Sequence, residues 1–94
     1  MMKYKIKPSA TFKRELKKMK NQKKDLSLLQ NIVNSLAAGE QLPEKYNDHE
    51  LKGNYRGYRE CHIQPDWLLI YQIDNGNLLL YLLHTGSHSE LFRK

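Results

Sequence analysis

The N-terminal residues alternate between apolar and basic side chains. Met2, Tyr4 and Ile6 are separated by single lysines, and this period of two predicts a half-buried strand with a basic outer face. Pro8 ends the predicted strand, and Ser9 is a suitable N-cap for a helix that follows.

Two helices are predicted by the spacing of apolar residues after this strand. In each helix the apolar side chains recur three or four positions apart, and basic residues cover the rest of the first helix. Asp25 can cap the second helix, Gly39 fits its C-terminal stop, and Pro43 prevents a restart. The buried stripes are Phe12, Leu16 and Met19 in the first helix, and Leu29, Ile32, Val33 and Leu36 in the second.

The second half of the chain reads as three strands. They cover residues 55–63, 67–73 and 78–83. The middle strand is nearly all apolar, as in a central strand covered on both faces, and Asn75-Gly76 is a strong hairpin signal. The order β-α-α-β-β-β predicts a small α+β fold, an antiparallel-rich sheet with an N-terminal helical hairpin on one face. Ser87 or Ser89 would cap a short C-terminal turn or helix.

Length and composition limit the class of protein. A chain of 94 residues has the size of one domain, covering residues 1–94. No segment approaches the roughly 20 apolar residues of a membrane-spanning helix, and the N-terminus lacks the apolar run of a signal peptide. Cys61 is the single cysteine, which excludes a disulfide within the chain. We therefore expect a soluble cytoplasmic protein with no membrane partner.

The formal net charge of +6 is concentrated in the first half. Residues 1–47 hold eleven Lys or Arg against four Asp or Glu, whereas residues 48–94 hold five against six. The four histidines all lie in the second half, at His49, His62, His84 and His88. One interpretation is that the basic half attracts a polyanion while the other half supplies groups that titrate near neutral pH. The alternative is a solvated lysine-rich helix with no partner.

The predicted strand at 55–63 sorts its side chains onto two faces. Cys61 and Ile63 are apolar enough to face the core, so Glu60 and His62 should face outward.

The turn after His62 and the end of the last strand should meet at one edge of the sheet. Asp66 follows that turn and His88 follows the last strand, so we expect both to converge on His62. His49 would arrive from the segment before the sheet.

Histidines and carboxylates suit cleavage of RNA without a metal ion. The reaction needs a base for the 2′-hydroxyl proton, an acid for the leaving 5′-oxygen and a group that stabilises the phosphorane. Histidine can be base or acid near neutral pH, and a nearby carboxylate can hold its tautomer. Zinc binding by the same side chains is the alternative, but no CxxC or HExxH spacing is present, so we expect no metal or other cofactor.

Two segments resemble YafQ-like toxins, which belong to the RelE/ParE superfamily of type II toxin–antitoxin systems. Residues 48–71, DHELKGNYRGYRECHIQPDWLLIY, are similar to the core of these toxins, and residues 85–92, TGSHSELF, to their closing motif. The N-terminal half matches only in length and helix layout.

The resemblance implies a ribosome-dependent endoribonuclease that cleaves mRNA through the 2′-hydroxyl and inhibits translation. The family's catalytic positions and the acidic position beside them fall on His49, Glu60, His62, Asp66 and His88. The resemblance also implies a cognate antitoxin, DinJ- or RelB-like, that inhibits the toxin and makes the main contacts to operator DNA.

RNA contacts are expected from basic and aromatic side chains in both halves. The lysine-rich first helix would dock on ribosomal RNA, and the others would lie nearer the message. The residues are Lys13, Arg14, Lys17, Lys18, Lys20, Lys52, Arg56, Arg59, His84 and Phe92.

Two positions depart from the family pattern. Glu60 stands where aspartate is common, so its carboxylate reaches one methylene further. His84 stands where arginine is often found, and an imidazole is a weaker phosphate contact than a guanidinium. Both departures bear on activity rather than on the fold.

Other functions stay open on sequence grounds. A ParE-like toxin that poisons DNA gyrase needs no histidine cluster, so the cluster counts against it. A non-cleaving corepressor would act only with its antitoxin, and a plain RNA-binding module would bind without cutting.

Overall fold

The computed structural model describes residues 2–92, which form a five-stranded sheet, two long helices and one short helix. The elements are β1 (Lys5–Pro8), α1 (Ala10–Asn21), α2 (Leu26–Ala37), β2 (His49–Glu50), β3 (Arg59–Gln64), β4 (Trp67–Asp74), β5 (Leu79–Gly86) and α3 (His88–Leu91). The strand order is β1-β5-β4-β3-β2, with β1 parallel to β5 and the other neighbours antiparallel. The predicted α+β class is confirmed.

Both long helices begin at the predicted caps. The Ser9 hydroxyl accepts the Phe12 N–H at 2.9 Å, and the Asp25 carboxylate accepts the Ser27 N–H at 3.0 Å. Gly39 follows α2 with a φ of +81°, a left-handed conformation that glycine adopts without strain. The apolar stripes of both helices join the sheet in one core cluster.

Strand β4 is the centre of the molecule, with both faces covered as predicted. Trp67, Leu69 and Tyr71 pack in the cluster formed with the helices. Leu68 and Ile70 are fully buried but lie outside that cluster, because successive side chains point to opposite faces of a strand. The second face of the sheet therefore has an apolar floor of its own.

The predicted strand at 55–63 is wrong at its N-terminal end, because β3 begins at Arg59. Gly53 and Gly57 have φ of +67° and +93°, and Gly53–Tyr55 form a 3-10 turn, so the chain leaves the strand path there. Strand β2 is a fifth strand that the sequence pattern did not predict, since two residues show no periodicity.

The turn predicted at Asn75-Gly76 is confirmed between β4 and β5. The Asp74 carboxylate accepts the backbone N–H groups of Gly76 and Asn77 at 3.0 and 3.2 Å. Within residues 2–92, no helix has the length and apolar character needed to cross a bilayer.

Candidate active site

A row of side chains crosses four strands on the sheet face opposite the long helices. The strand register aligns His84 of β5 with Ile70 of β4, Ile70 with Glu60 of β3, and Glu60 with His49 of β2. His62 lies two residues further along β3, on the same face. The β4 residues beneath both positions are fully buried, so the ionisable side chains lie on an apolar floor.

Glu60 is the centre of what we call the histidine cluster, formed by His49, Glu60, His62 and His88. Its Oε1 lies 3.2 Å from His62 Nε2 and 3.6 Å from His49 Nε2. Glu60 is only 3% exposed, and a carboxylate at this depth is costly unless it is paired, which the two imidazoles allow. Glu60 lies on the predicted face of the sheet, opposite the helices. The expectation that it is exposed there is wrong, because the imidazoles flank its carboxylate.

The residues before β2 hold His49 in place. His49 Nδ1 lies 2.8 Å from the Asn47 carbonyl, which can only accept, so Nδ1 donates and both ring nitrogens face acceptors. The intervening Asp48 accepts the Tyr71 hydroxyl at 2.7 Å and Arg59 Nε at 3.3 Å. Burial, with the Asp48 contact second, raises the pKa of Tyr71 well above its usual range, which keeps this hydroxyl a donor.

His88 reaches the cluster from α3, and its ring centroid lies 5.9 Å from that of His62. Ser87 caps this helix: its hydroxyl accepts the Glu90 N–H at 3.2 Å, and Glu90 Oε1 accepts the Ser87 N–H at 2.9 Å. Glu90 Oε2 also pairs with Lys18 Nζ of α1 at 2.7 Å. Lys18 and the Ser87 N–H together lower the pKa of Glu90 to about 2.

Six aromatic rings, three of them from the histidine cluster, follow one another around the same face, and we call them the ring arc. Neighbouring centroids lie between 5.4 and 6.4 Å apart. In order, the ring arc consists of His49, His62, His88, Phe92, Tyr55 and His84. His84 ends the arc, with Nδ1 3.1 Å from Glu15 Oε1 of α1. Such rings offer π faces on which unstacked bases can stack.

Comparison with known proteins decides the family. A family model described as "Bacterial toxin of type II toxin-antitoxin system, YafQ" matches residues 4–93. The chain belongs to the YafQ family. Among YafQ proteins, the "mRNA interferase toxin YafQ" of Escherichia coli K12 is 35% identical over 88 residues, covering 93% of this chain and 94% of the relative.

Solved YafQ-family structures share the fold. The Escherichia coli DinJ–YafQ toxin–antitoxin complex matches with a TM-score of 0.88 at 34% identity, covering 97% of this chain and 99% of that one. A metal-bound toxin from Helicobacter pylori matches with a TM-score of 0.89 at 44% identity, covering 98% and 100%. In residues 2–92 of this chain, no three His, Cys, Asp or Glu side chains are arranged to hold a metal ion.

The predicted catalytic residues meet with one exception. The structure brings His49, Glu60, His62 and His88 together, but Asp66 is exposed on the β3–β4 turn. Within residues 2–92, Asp66 makes no ion pair with a histidine. Instead it lines a cavity with residues at the C-terminal end of α1 and the start of α3, because the turn lies toward that end of α1.

Eight of the ten predicted RNA-binding residues fall into two groups, and the other two, His84 and Phe92, belong to the ring arc. Six are exposed, namely Lys13, Arg14, Lys17 and Lys20 on α1, and Lys52 and Arg56 beside the 53–55 turn. Two are engaged within the protein, since Lys18 pairs with Glu90 and Arg59 pairs with Asp48. Arg59 lies on the helix-facing side of β3, away from the histidine cluster, and its RNA contact stays a prediction.

Tyr55 is the site residue that sequence reasoning missed. Its ring meets Phe92 and His84 edge-on, at 5.4 and 6.3 Å between centroids. The signal was the pair of glycines around it, Gly53 and Gly57, which indicate a turn rather than a strand.

Cys61, directly beside Glu60, is no nucleophile, because burial raises the pKa of its thiol far above the usual range.

Proposed function

We propose that this chain is the toxin of a type II toxin–antitoxin system and cleaves mRNA on the ribosome without a metal ion. The observation that carries the proposal is the buried Glu60 carboxylate between two imidazoles, with a third imidazole in ring contact. Family membership supports it, since the Escherichia coli relative is named an mRNA interferase.

His62 is the general base in this proposal. Its Nε2 faces the Glu60 carboxylate at 3.2 Å, which favours the tautomer with hydrogen on Nε2. Nδ1, which has no hydrogen-bond partner in residues 2–92, then takes the proton of the 2′-hydroxyl. The 2′-oxygen attacks the phosphorus, the bond to the 5′-oxygen breaks, and the upstream fragment ends in a 2′,3′-cyclic phosphate.

His88 and His49 complete the chemistry. His88, exposed at the start of α3, donates a proton to the leaving 5′-oxygen. His49, with acceptors at both nitrogens, is suited to hold positive charge and to stabilise the phosphorane. Asp66 would act only from the turn, on the substrate rather than on a histidine. Phe92 would stack a base.

The openness of the site supports dependence on the ribosome. The histidine cluster lies on a sheet surface, and the message must reach it with the 2′-oxygen in line with the leaving 5′-oxygen. The ribosome can hold that geometry in advance, which is worth several orders of magnitude in rate. We therefore expect cleavage of translated mRNA and little cleavage of free mRNA in the cytoplasm.

An antitoxin is the second partner in this proposal. An Escherichia coli relative forms a complex with DinJ, and the net charge of +6 suits an acidic partner segment. Contacts to operator DNA would be made by the antitoxin in the complex. Co-purification with the product of the adjacent reading frame tests this partner.

The decisive experiment replaces His62 or His88 by alanine and measures mRNA cleavage in a translating extract. Each replacement should lower the cleavage rate by roughly a hundredfold or more, since one acid or base contributes about 10²–10⁴. Glu50→Ala is the matched control. Glu50 is an exposed residue next to His49, and this variant should cleave mRNA at the wild-type rate. Normal cleavage by both histidine variants would refute the assignment.

A further inference from the structure

A cavity of ≈ 390 Å³ lies directly beside the histidine cluster. His62 belongs to both, since its ring lies next to that of His88 and the residue is also part of the cavity wall. The remaining walls come from the turn before β2, the end of β3 and the first turn of α2. This volume is in the range of small-ligand sites, about 300–1,000 Å³.

The cavity opens beside the start of β2. β2 pairs only with Arg59 and Glu60, so β3 has no strand neighbour on that side beyond Glu60. Leu51 N donates to the Tyr58 carbonyl across the β2–β3 pair. Backbone groups of successive residues point alternately to the two sides of a strand, so those of Tyr58, Glu60 and His62 point the same way. The backbone N–H and C=O of His62 therefore point to the open edge, where they can bond a ligand.

The side chains around the cavity combine a flat apolar floor with amide groups. Tyr46 packs partly buried against the core, with Lys45 Nζ over its ring at 5.1 Å from the centroid, and Ile63 and Pro65 add apolar surface. Asn47 and Gln64 are exposed and carry the side-chain amides. Apolar surface, a strand edge and two amides match a nucleobase, which has apolar π faces and an edge of donors and acceptors, and Lys45 can meet the phosphate that the base carries.

We propose that this cavity binds the nucleobase next to the scissile phosphate and sets the base preference of cleavage. The inference rests on the proposed function, because a phosphate at His62 places its neighbouring base within reach of the cavity. Asn47 connects recognition to chemistry, since its carbonyl accepts from His49 Nδ1 and the residue also lines the cavity. Asn47 and Gln64 are thus the specificity-determining residues.

The variants are chosen to remove the amides and keep the backbone. Asn47 has a φ of +48°, so Asn47→Gly retains the left-handed conformation and the carbonyl that holds His49. Gln64→Ala removes an exposed side chain at the end of β3. Gln41→Ala is the control, an exposed glutamine that does not line this cavity.

Cleavage-site mapping on a random-sequence message in a reconstituted translation reaction gives the first test. Wild type and Gln41→Ala should share a base bias at one position beside the cut. Asn47→Gly and Gln64→Ala should reduce that bias by roughly tenfold, the worth of a lost base contact. A bias kept by both variants, whether total cleavage falls or not, would overturn the proposal.

Binding without cleavage separates this inference from the proposed function. We would titrate ¹⁵N-labelled protein with 2′-O-methyl dinucleotides, which cannot be cleaved because the 2′-oxygen is blocked. The side-chain amide signals of Asn47 and Gln64 should shift, with different affinities for the different bases. Absence of these shifts would overturn the nucleobase site, whereas shifts in a protein that never cleaves mRNA would overturn only the proposed function.

Discussion

Glu60 contacts two of the three imidazoles of the histidine cluster, those of His49 and His62. It is buried, its partners are His62 and His49, and it lies above a β4 residue that is itself fully buried. Water therefore does little to screen these contacts, and the carboxylate holds each ring more firmly than it would at the surface. We propose that Glu60 acts through the histidines, as a positioning residue.

Glu60→Gln should lower the cleavage rate by about 10- to 100-fold, since the neutral amide no longer selects one tautomer of His62. The protein should remain folded, because imidazoles can be uncharged, so the substitution leaves no unpaired charge buried beside the amide. Cleavage rates and chemical unfolding measure the two effects.

Glu60→Asp and Glu50→Gln are the companion variants. The aspartate keeps the carboxylate and should recover part of the activity. Glu50 is exposed, so Glu50→Gln should cleave mRNA at the wild-type rate. Equal activity of Glu60→Gln and wild type would argue against a positioning role.

Helix α3 carries His88 but is only one turn long, so it cannot be stable by itself. Its position depends on the Ser87–Glu90 capping box and on the Lys18–Glu90 ion pair to α1. The lysine-rich helix thus contributes to the site by holding α3 as well as by its exposed charges.

Acid should release α3 before the rest of the fold. The pKa of Glu90 is lowered from 4.5 to about 2 in the folded protein. The stabilisation is therefore fully present above about pH 4.5 and is lost as the pH falls through about 2. In Glu90→Gln, loss of the ion pair with Lys18 should loosen α3 at neutral pH by less than about 1 kcal/mol, because Lys18 is largely exposed. Lowering the pH from about 4.5 to about 2 should change α3 of this variant little further.

NMR signals of His88 and Phe92 followed from pH 5 to pH 2 measure this effect. Lys13→Gln, which removes an exposed lysine from the same helix, is the control. The same acid response in wild type and in Glu90→Gln would show that α3 is held by other contacts.

Periodicity was sufficient to predict the long helices and the central strands, because each buries a continuous apolar stripe or run. It failed at residues 53–57, where two left-handed glycines turn the chain, and at β2, which is too short to show a period. Alternation placed Glu60 and His62 on one face, but burial of Glu60 and exclusion of Asp66 depend on packing between distant segments. Tyr55 was missed for the same reason.

In the molecule as a whole, the two faces of the sheet carry different structures. The helices build the main core on one face, centred on β4, while the other face carries the histidine cluster and the ring arc. The exposed cations of α1 lie beside the site, since Glu15 and Lys18 of the same helix contact His84 and α3.

Leu69→Ala should destabilise the protein by about 2–5 kcal/mol, because it leaves a cavity in the main core. Trp67 is the single tryptophan and is fully buried, so its fluorescence reports unfolding directly. Leu78→Ala, at an exposed leucine, should change stability little. A loss below 1 kcal/mol for Leu69→Ala would contradict the position of this core.

Ribosome binding should depend on salt through the cations of α1. Replacing Lys13, Lys17 and Lys20 by glutamine should weaken binding and reduce the slope of log affinity against log salt by about 2 to 3. His62→Ala should keep the wild-type slope while losing cleavage. An unchanged slope in the triple variant would favour a merely solvated helix.

The 3′ end of the upstream mRNA fragment tests the central claim most directly, because it records how the phosphodiester was broken. We expect a 2′,3′-cyclic phosphate, or the phosphate formed by its hydrolysis, from the wild-type protein on translating ribosomes, and loss of that product with His62→Ala. A 3′-hydroxyl end, or an unchanged yield of cyclic phosphate with His62→Ala, would contradict cleavage by the histidine cluster.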